Sequence, residues 1–171
     1  MKNQGIIIKF FVILFLAAAG VVSFMLYKPQ NIFIPVMIDN EIQFETIEKK
    51  ISPNTNEKGN YIIKNAEEWR DLWNKIYSAV IIKPEIPEID FNKYMVVAVF
   101  NGFETSGGYD IEINKIGEKD NAVYVFVKKK LPGSGCLTSQ SFSNPYHIIG
   151  FVKTEKEVLY VEKEETVNCN S

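Results

Sequence analysis

The sequence predicts an α+β protein: a mostly antiparallel sheet with one amphipathic helix packed on it, preceded by an N-terminal transmembrane helix. Three observations point there: an uncharged apolar stretch over residues 10–27, a single helical stripe over 65–76, and β-type patterning from residue 94 onward. At 171 residues the chain has room for one domain of ordinary size. One His and two Cys are too few for a multi-ligand His/Cys metal site, and 19 Lys+Arg against 21 Asp+Glu lacks the basic excess of a nucleic-acid binder. No metal, cofactor or nucleic-acid partner is therefore expected.

Composition divides at Tyr27. The first 27 residues hold 20 hydrophobic residues, two Lys and no acid, which leaves residues 28–171 about 41 % hydrophobic, an ordinary globular value. That part has 17 basic and 21 acidic residues, a net charge of −4. The 18 uncharged residues 10–27 span roughly 27 Å as a helix, close to the ~30 Å hydrocarbon core of a bilayer. Lys9 can snorkel to the headgroups. Ala17, Ala18 and Ala19 also suit a signal-peptidase site. Cleavage there would leave Val21, Val22, Phe24, Met25 and Leu26 exposed, so the uncleaved anchor is favoured. No Cys near the stretch offers a lipid acceptor. Lys2 and Lys9 precede the span, and the positive-inside rule puts residues 1–9 in the cytoplasm and 28–171 outside. The expected localisation is thus a single-pass cell-membrane protein.

Residues 28–60 read as a tether with leading strands, 32–38 and 41–48, joined at Asp39-Asn40, followed by a polar loop over 52–60. Asn65 can cap a helix with Glu68 three residues on, and Trp69, Leu72, Trp73 and Ile76 fall at i, i+3, i+4 and i+7. That stripe should lie on a sheet. Pro84 and Pro87 exclude helix continuation and suggest an extended connector over 79–90. The run 94–100 is of central-strand type, whereas Tyr109, Ile111 and Ile113 alternate with Asp110, Glu112 and Asn114 like a strand with one wet face. Residues 122–127 are again continuously apolar. The turns between are short enough for an antiparallel meander, and 146–152 with 158–162 would form a last strand pair. The main domain is expected over 61–162, with a C-terminal tail over 163–171.

Chemistry is sparse. His147, the only His, sits in a strand context; paired with Cys136 it would be the obvious thiol-enzyme candidate, since an imidazole can lower a Cys pKa. The plainer reading keeps His147 on a strand face and Cys136 in a loop. Glu88 and Asp90 are acids among many. Gly133-Ser134-Gly135 lacks the Gly-Lys-Ser/Thr ending of a phosphate loop. Cys136 and Cys169 are an even pair in an exported domain, either free or bridged; a bridge would close a 33-residue loop and contribute roughly 3 to 4 kcal/mol. Lys128, Lys129 and Lys130 read as a solvated strand edge that discourages edge-to-edge pairing. The loop 101–109 is the most informative: Gly107 and Gly108 allow positive φ or close backbone approach, and Phe103 marks a candidate exposed aromatic tip.

The order of motifs is recognisable. Residues 67–73 (Glu-Glu-Trp-Arg-Asp-Leu-Trp), Ile89-Asp90-Phe91, 95–100 (Met-Val-Val-Ala-Val-Phe), Gly102, Thr105-Ser106-Gly107-Gly108-Tyr109 and Asn144-Pro145-Tyr146-His147-Ile148-Ile149 resemble the PrcB-like family over about residues 61–162. The family is named for an accessory, non-catalytic subunit of a bacterial surface protease complex. The resemblance implies a domain that binds or stabilises a protein partner, with Gly107, Gly108, Tyr109, Pro145 and Tyr146 as hallmarks and no catalytic residues to carry over. The partner-binding loop would comprise Phe103, Thr105, Ser106, Gly107, Gly108 and Tyr109. Residues 105–109 are also similar to the Thr-Thr-Gly-Tyr loop of chagasin-like cysteine-protease inhibitors, the alternative reading.

Overall fold

The structure is a computed structural model that describes residues 36–52, 55 and 57–169. The expected anchor over 10–27 lies outside the described residues; among these, no helix is long and apolar enough to cross a membrane.

The fold is α+β, with one helix and eight strands: β1 (Asn40–Glu41), β2 (Phe44–Ile51), β3 (Lys58–Ile63), α1 (Ala66–Ile76), β4 (Tyr94–Asn101), β5 (Asp110–Lys119), β6 (Ala122–Pro132), β7 (Pro145–Val152) and β8 (Glu157–Val167). They form two four-stranded sheets, ordered β1-β5-β6-β8 and β2-β7-β4-β3. All pairs are antiparallel except β6 with β8.

Strands β4 and β7 are central to the second sheet and buried on both faces, which is why residues 94–100 read as a continuous apolar run. Met95, Val97, Val99, Ile149 and Phe151 pack against Ile111, Ile113, Ile116, Val123, Val125 and Val127 of the first sheet. From the opposite face, Val96, Ala98, Phe100, Tyr146 and Ile148 meet Trp69, Leu72, Trp73 and Ile76 of α1. The result is a helix, sheet, sheet stack. Asn65 caps α1 as expected: its side chain accepts the Glu68 N–H at 2.9 Å, and Glu68 in turn accepts the Lys64 N–H at 2.9 Å.

Several expected pairings are corrected. Strands β4 and β5 do not form one meander, because the chain crosses between sheets through 102–109; only β5 and β6 form the expected hairpin. The last pair is absent as well: β7 lies between β2 and β4, while β8 runs parallel to β6 and continues to Val167, into the segment read as a tail. Residues 36–38 are not a strand, and Asn40–Glu41 pairs with β5 instead of turning into β2. Residues 58–60, read as loop, open β3. In β6 only Val123, Val125 and Val127 are fully buried, so its apolar run covers one core face.

The strand edge expected at the basic run is corrected too. β6 is an inner strand, and Lys128, Lys129 and Lys130 pair with Glu165, Glu162 and Asp110 of the strands on either side. Acids of β5 and β8 thus lie beside all three lysines of this inner strand.

Candidate binding surface

Two loops join the sheets at one end, 102–109 after β4 and 133–144 after β6. They are laced together. Glu104 and Ser143 exchange backbone hydrogen bonds at 2.8 and 3.0 Å, the Gly107 N–H donates to the Ser139 carbonyl at 2.9 Å, and the Ser143 hydroxyl donates to the Ser106 carbonyl at 2.8 Å. The glycines make this approach possible: a Cβ on Gly107 would sit 2.5 Å from Ser139 Oγ, and Gly108 has φ +92° with Pro132 and Thr138 at 3.0–3.1 Å from its would-be Cβ. Thr105 is exposed at the turn, while Ser106 and Tyr109 are half-buried.

Phe103 is 47 % exposed and meets the 59 % exposed Phe142 of the second loop, ring centroids 5.0 Å apart. The aromatic tip is therefore a pair. Phe103 alone is marked in the sequence, since nothing local joins it to Phe142, 39 positions on.

Asn144 underpins the surface; in the sequence it stands only as the first residue of the Asn144–Ile149 motif, with no sign of this role. Fully buried, it accepts the Gly102 N–H at 3.1 Å and donates to the carbonyls of Thr55 and Glu57 at 2.9 and 2.7 Å, tying the β2–β3 and β4–β5 loops to the start of β7. Pro145 and Tyr146, the hallmark strand, are core residues. Tyr146 stacks on Phe100 and donates to Glu48 Oε2 at 2.7 Å; the Tyr77 hydroxyl donates to the other oxygen at 2.6 Å, and Lys50 reaches both Glu48 and Tyr77. Burial and the Glu48 carboxylate push the Tyr146 hydroxyl well above its ordinary pKa.

His147 bridges the layers. Its Nδ1 accepts the Ile113 N–H at 2.9 Å, beside the bulge in β5, and its Nε2 lies 2.9 Å from Thr46 Oγ1. An accepting Nδ1 requires the proton on Nε2, so the ring is neutral and donates to Thr46. Burial lowers its pKa. The Ile113 to Ile116 spacing, three instead of two, was the sequence sign of that bulge.

The Cys136/His147 thiol reading is corrected: Cys136 is joined to Cys169 in a disulfide, with Cα atoms 4.8 Å apart, so it presents no thiol. Glu88 and Asp90 are exposed, and hydrogen bonds from Lys93 and the Asn92 N–H hold the Asp90 carboxyl below its ordinary range, the wrong direction for an acid. No buried side-chain polar atom lacks a partner, and no group of three His, Cys, Asp or Glu could hold a metal, among the described residues.

The described residues thus form a helix-backed β-sandwich whose polar groups brace loops. Residues 95–151 match the model of the PrcB C-terminal family, which supports a PrcB-like assignment for the segment from β4 through β7. That stretch contains both laced loops. No curated protein and no solved structure matches the chain.

Proposed function

We propose that the protein is a membrane-anchored, extracytoplasmic and non-catalytic module that binds or stabilises a protein partner, in keeping with the accessory character of the PrcB family. The observation that carries this reading is the exposed Phe103–Phe142 pair, held on two mutually braced loops, in a domain whose buried Tyr77, Tyr146 and His147 are tied to structural hydrogen bonds. Aromatic anchors on a rigid support lose little conformational entropy on binding. A secreted or surface protease is the partner class the family name suggests.

The anchor at 10–27 and the Cys136–Cys169 disulfide support one compartment, because disulfides persist outside the cytosol. The inhibitor reading of residues 105–109 needs that loop to project alone, whereas the Gly107 N–H is bound to Ser139. Crosslinking of intact membranes at native expression tests the proposal. A specific companion protein is expected; recovery of the protein alone would refute it.

A further inference from the structure

The two sheets end in four edge strands that are protected unequally. β1 is two residues long, β2 carries a bulge between Thr46 and Glu48, and β3 has six residues with Gly59 at φ +114°. Short strands, bulges and irregular backbone are ordinary means of keeping an edge from pairing with another chain. β8 has none of them. Its eleven residues run beside β6 in unbroken register, contain no Pro or Gly, and have no strand on their other side among the described residues. Only its charges are left to decide what pairs with it.

Alternation sorts those charges by face. Val158 and Tyr160 pack into the core between the sheets, and Glu162 bonds to Lys129 and to Asn60 of β3, so the even-numbered side chains point inward. Glu157, Leu159, Val161 and Lys163 therefore lie on the outer face, where Leu159 and Val161 stand opposite Tyr124 and Phe126 of β6. Glu162 and Glu165 are matched within the chain by Lys129 and Lys128. Glu157, Lys163 and Glu164 form no ion pair among the described residues.

Seven residues of this edge, 157–163, are their own complement. About a two-fold axis through Tyr160, perpendicular to the sheet, a second copy of β8 runs antiparallel to the first and keeps the outer faces together. Glu157 of each copy then faces Lys163 of the other, and Leu159 of each faces Val161. Opposite charges and apolar pairs directly across antiparallel strands are favourable, and like charges are not. Other registers are worse. Centred on Val161, the strands set Glu157 against Glu165; centred on Glu162, that acid meets itself; centred on Lys163, the lysine meets itself and Glu162 meets Glu164. Centred on Leu159, the strand overlap shrinks to residues 157–161 and Lys163 lies beyond it.

We infer that the protein forms a two-fold dimer with a second copy of itself through β8, antiparallel and centred on Tyr160, which joins the two four-stranded β1-β5-β6-β8 sheets into one continuous sheet. The interface is isologous, so the paired β8 edges cover one another and assembly stops at two copies. The dimer neither requires nor replaces the partner proposed for the Phe103–Phe142 pair.

Within one strand, residues 157 and 163 are about 20 Å apart, too far for a disulfide, whereas in the dimer each lies directly across from the other. The full chain carrying Glu157→Cys and Lys163→Cys, oxidised in its native membrane, is therefore expected to give a covalent dimer on non-reducing gels, and each single substitution about tenfold less. A second measurement is light scattering of the detergent-solubilised full chain over a dilution series. Glu157→Lys replaces two opposite-charge pairs by two like-charge pairs and should raise the dimer dissociation constant about tenfold, and adding Lys163→Glu should restore it. Both residues are exposed, so unchanged thermal melting will show that the variants fold. A chain that stays monomeric throughout the series would overturn the inference. So would a dimer indifferent to Glu157→Lys, or covalent dimers formed equally well by the single-cysteine variants, since either places the contact elsewhere.

Discussion

Buried hydrogen bonds at single residues hold the loops and layers together, and two side chains show how much depends on them. Removing the Asn144 amide would strand the Gly102 N–H and the Thr55 and Glu57 carbonyls in a buried site. Orphaned buried groups cost about 1–3 kcal/mol each, so Asn144→Ala is expected to destabilise by about 3 kcal/mol in urea unfolding of the detergent-solubilised chain. A loss below about 1 kcal/mol would show that water replaces the amide. His147 adds a pH dependence. Its folded pKa lies below 6.5, so as pH falls through 6.5 the unfolded chain takes up a proton that the folded chain resists. Stability therefore falls with pH from about 6.5 down to the folded pKa, by at most about 1.4 kcal/mol per unit, and is fully present above 6.5. His147→Asn retains an acceptor at the Nδ1 position for the Ile113 N–H without titrating, and unfolding at pH 7.5, 6.5 and 5.5 should show this component in the native protein only.

Among the elements, α1 was legible because its signals are local: the Asn65 cap, the Glu68 spacing and the i, i+3, i+4, i+7 stripe all lie within twelve residues. Strand positions β4 to β8 were legible for the same reason. Their partners were not. A period-two pattern tells which face is buried but not which strand lies alongside, and here 158–162 pairs parallel with β6 across a long crossover. The loop lacing failed to show for that reason too, since Phe142 and Ser143 come to residues 103–106 only through the crossing of the sheets. Trp73 joins the two kinds of information, its ring a readable core residue and its indole N–H an unreadable tie to the Pro84 carbonyl. Trp73→Phe should keep most of the apolar contact, lose about 1 kcal/mol, and speed amide hydrogen exchange over 78–87. Unchanged exchange there would show that the tie does not hold that segment.

For the molecule as a whole, the disulfide closes the one connection that the sheets leave open. Strand β8 reaches the end of the laced loops beside β6, where the Gly133 N–H donates to the Val167 carbonyl, and the Cys136–Cys169 bond then fastens the chain beyond β8 to the loop that carries Leu137 and Phe142. On the chain-entropy model a 33-residue closure contributes roughly 3 to 4 kcal/mol, and its loss should act first where the closure is attached. The double variant Cys136→Ser, Cys169→Ser is thus expected to unfold at lower urea by about that amount, with amide exchange rising first over 133–143. Because Ser139 and Ser143 pin residues 104–107, exchange there should rise next, while β4 and β7, buried on both faces, keep the protection of the global unfolding reaction. Equal exchange gains throughout the domain would mean that the bond stabilises the fold without bracing the loops. A gain confined to 133–143 and residues 163–169 would mean that the Phe103 loop holds its shape without it.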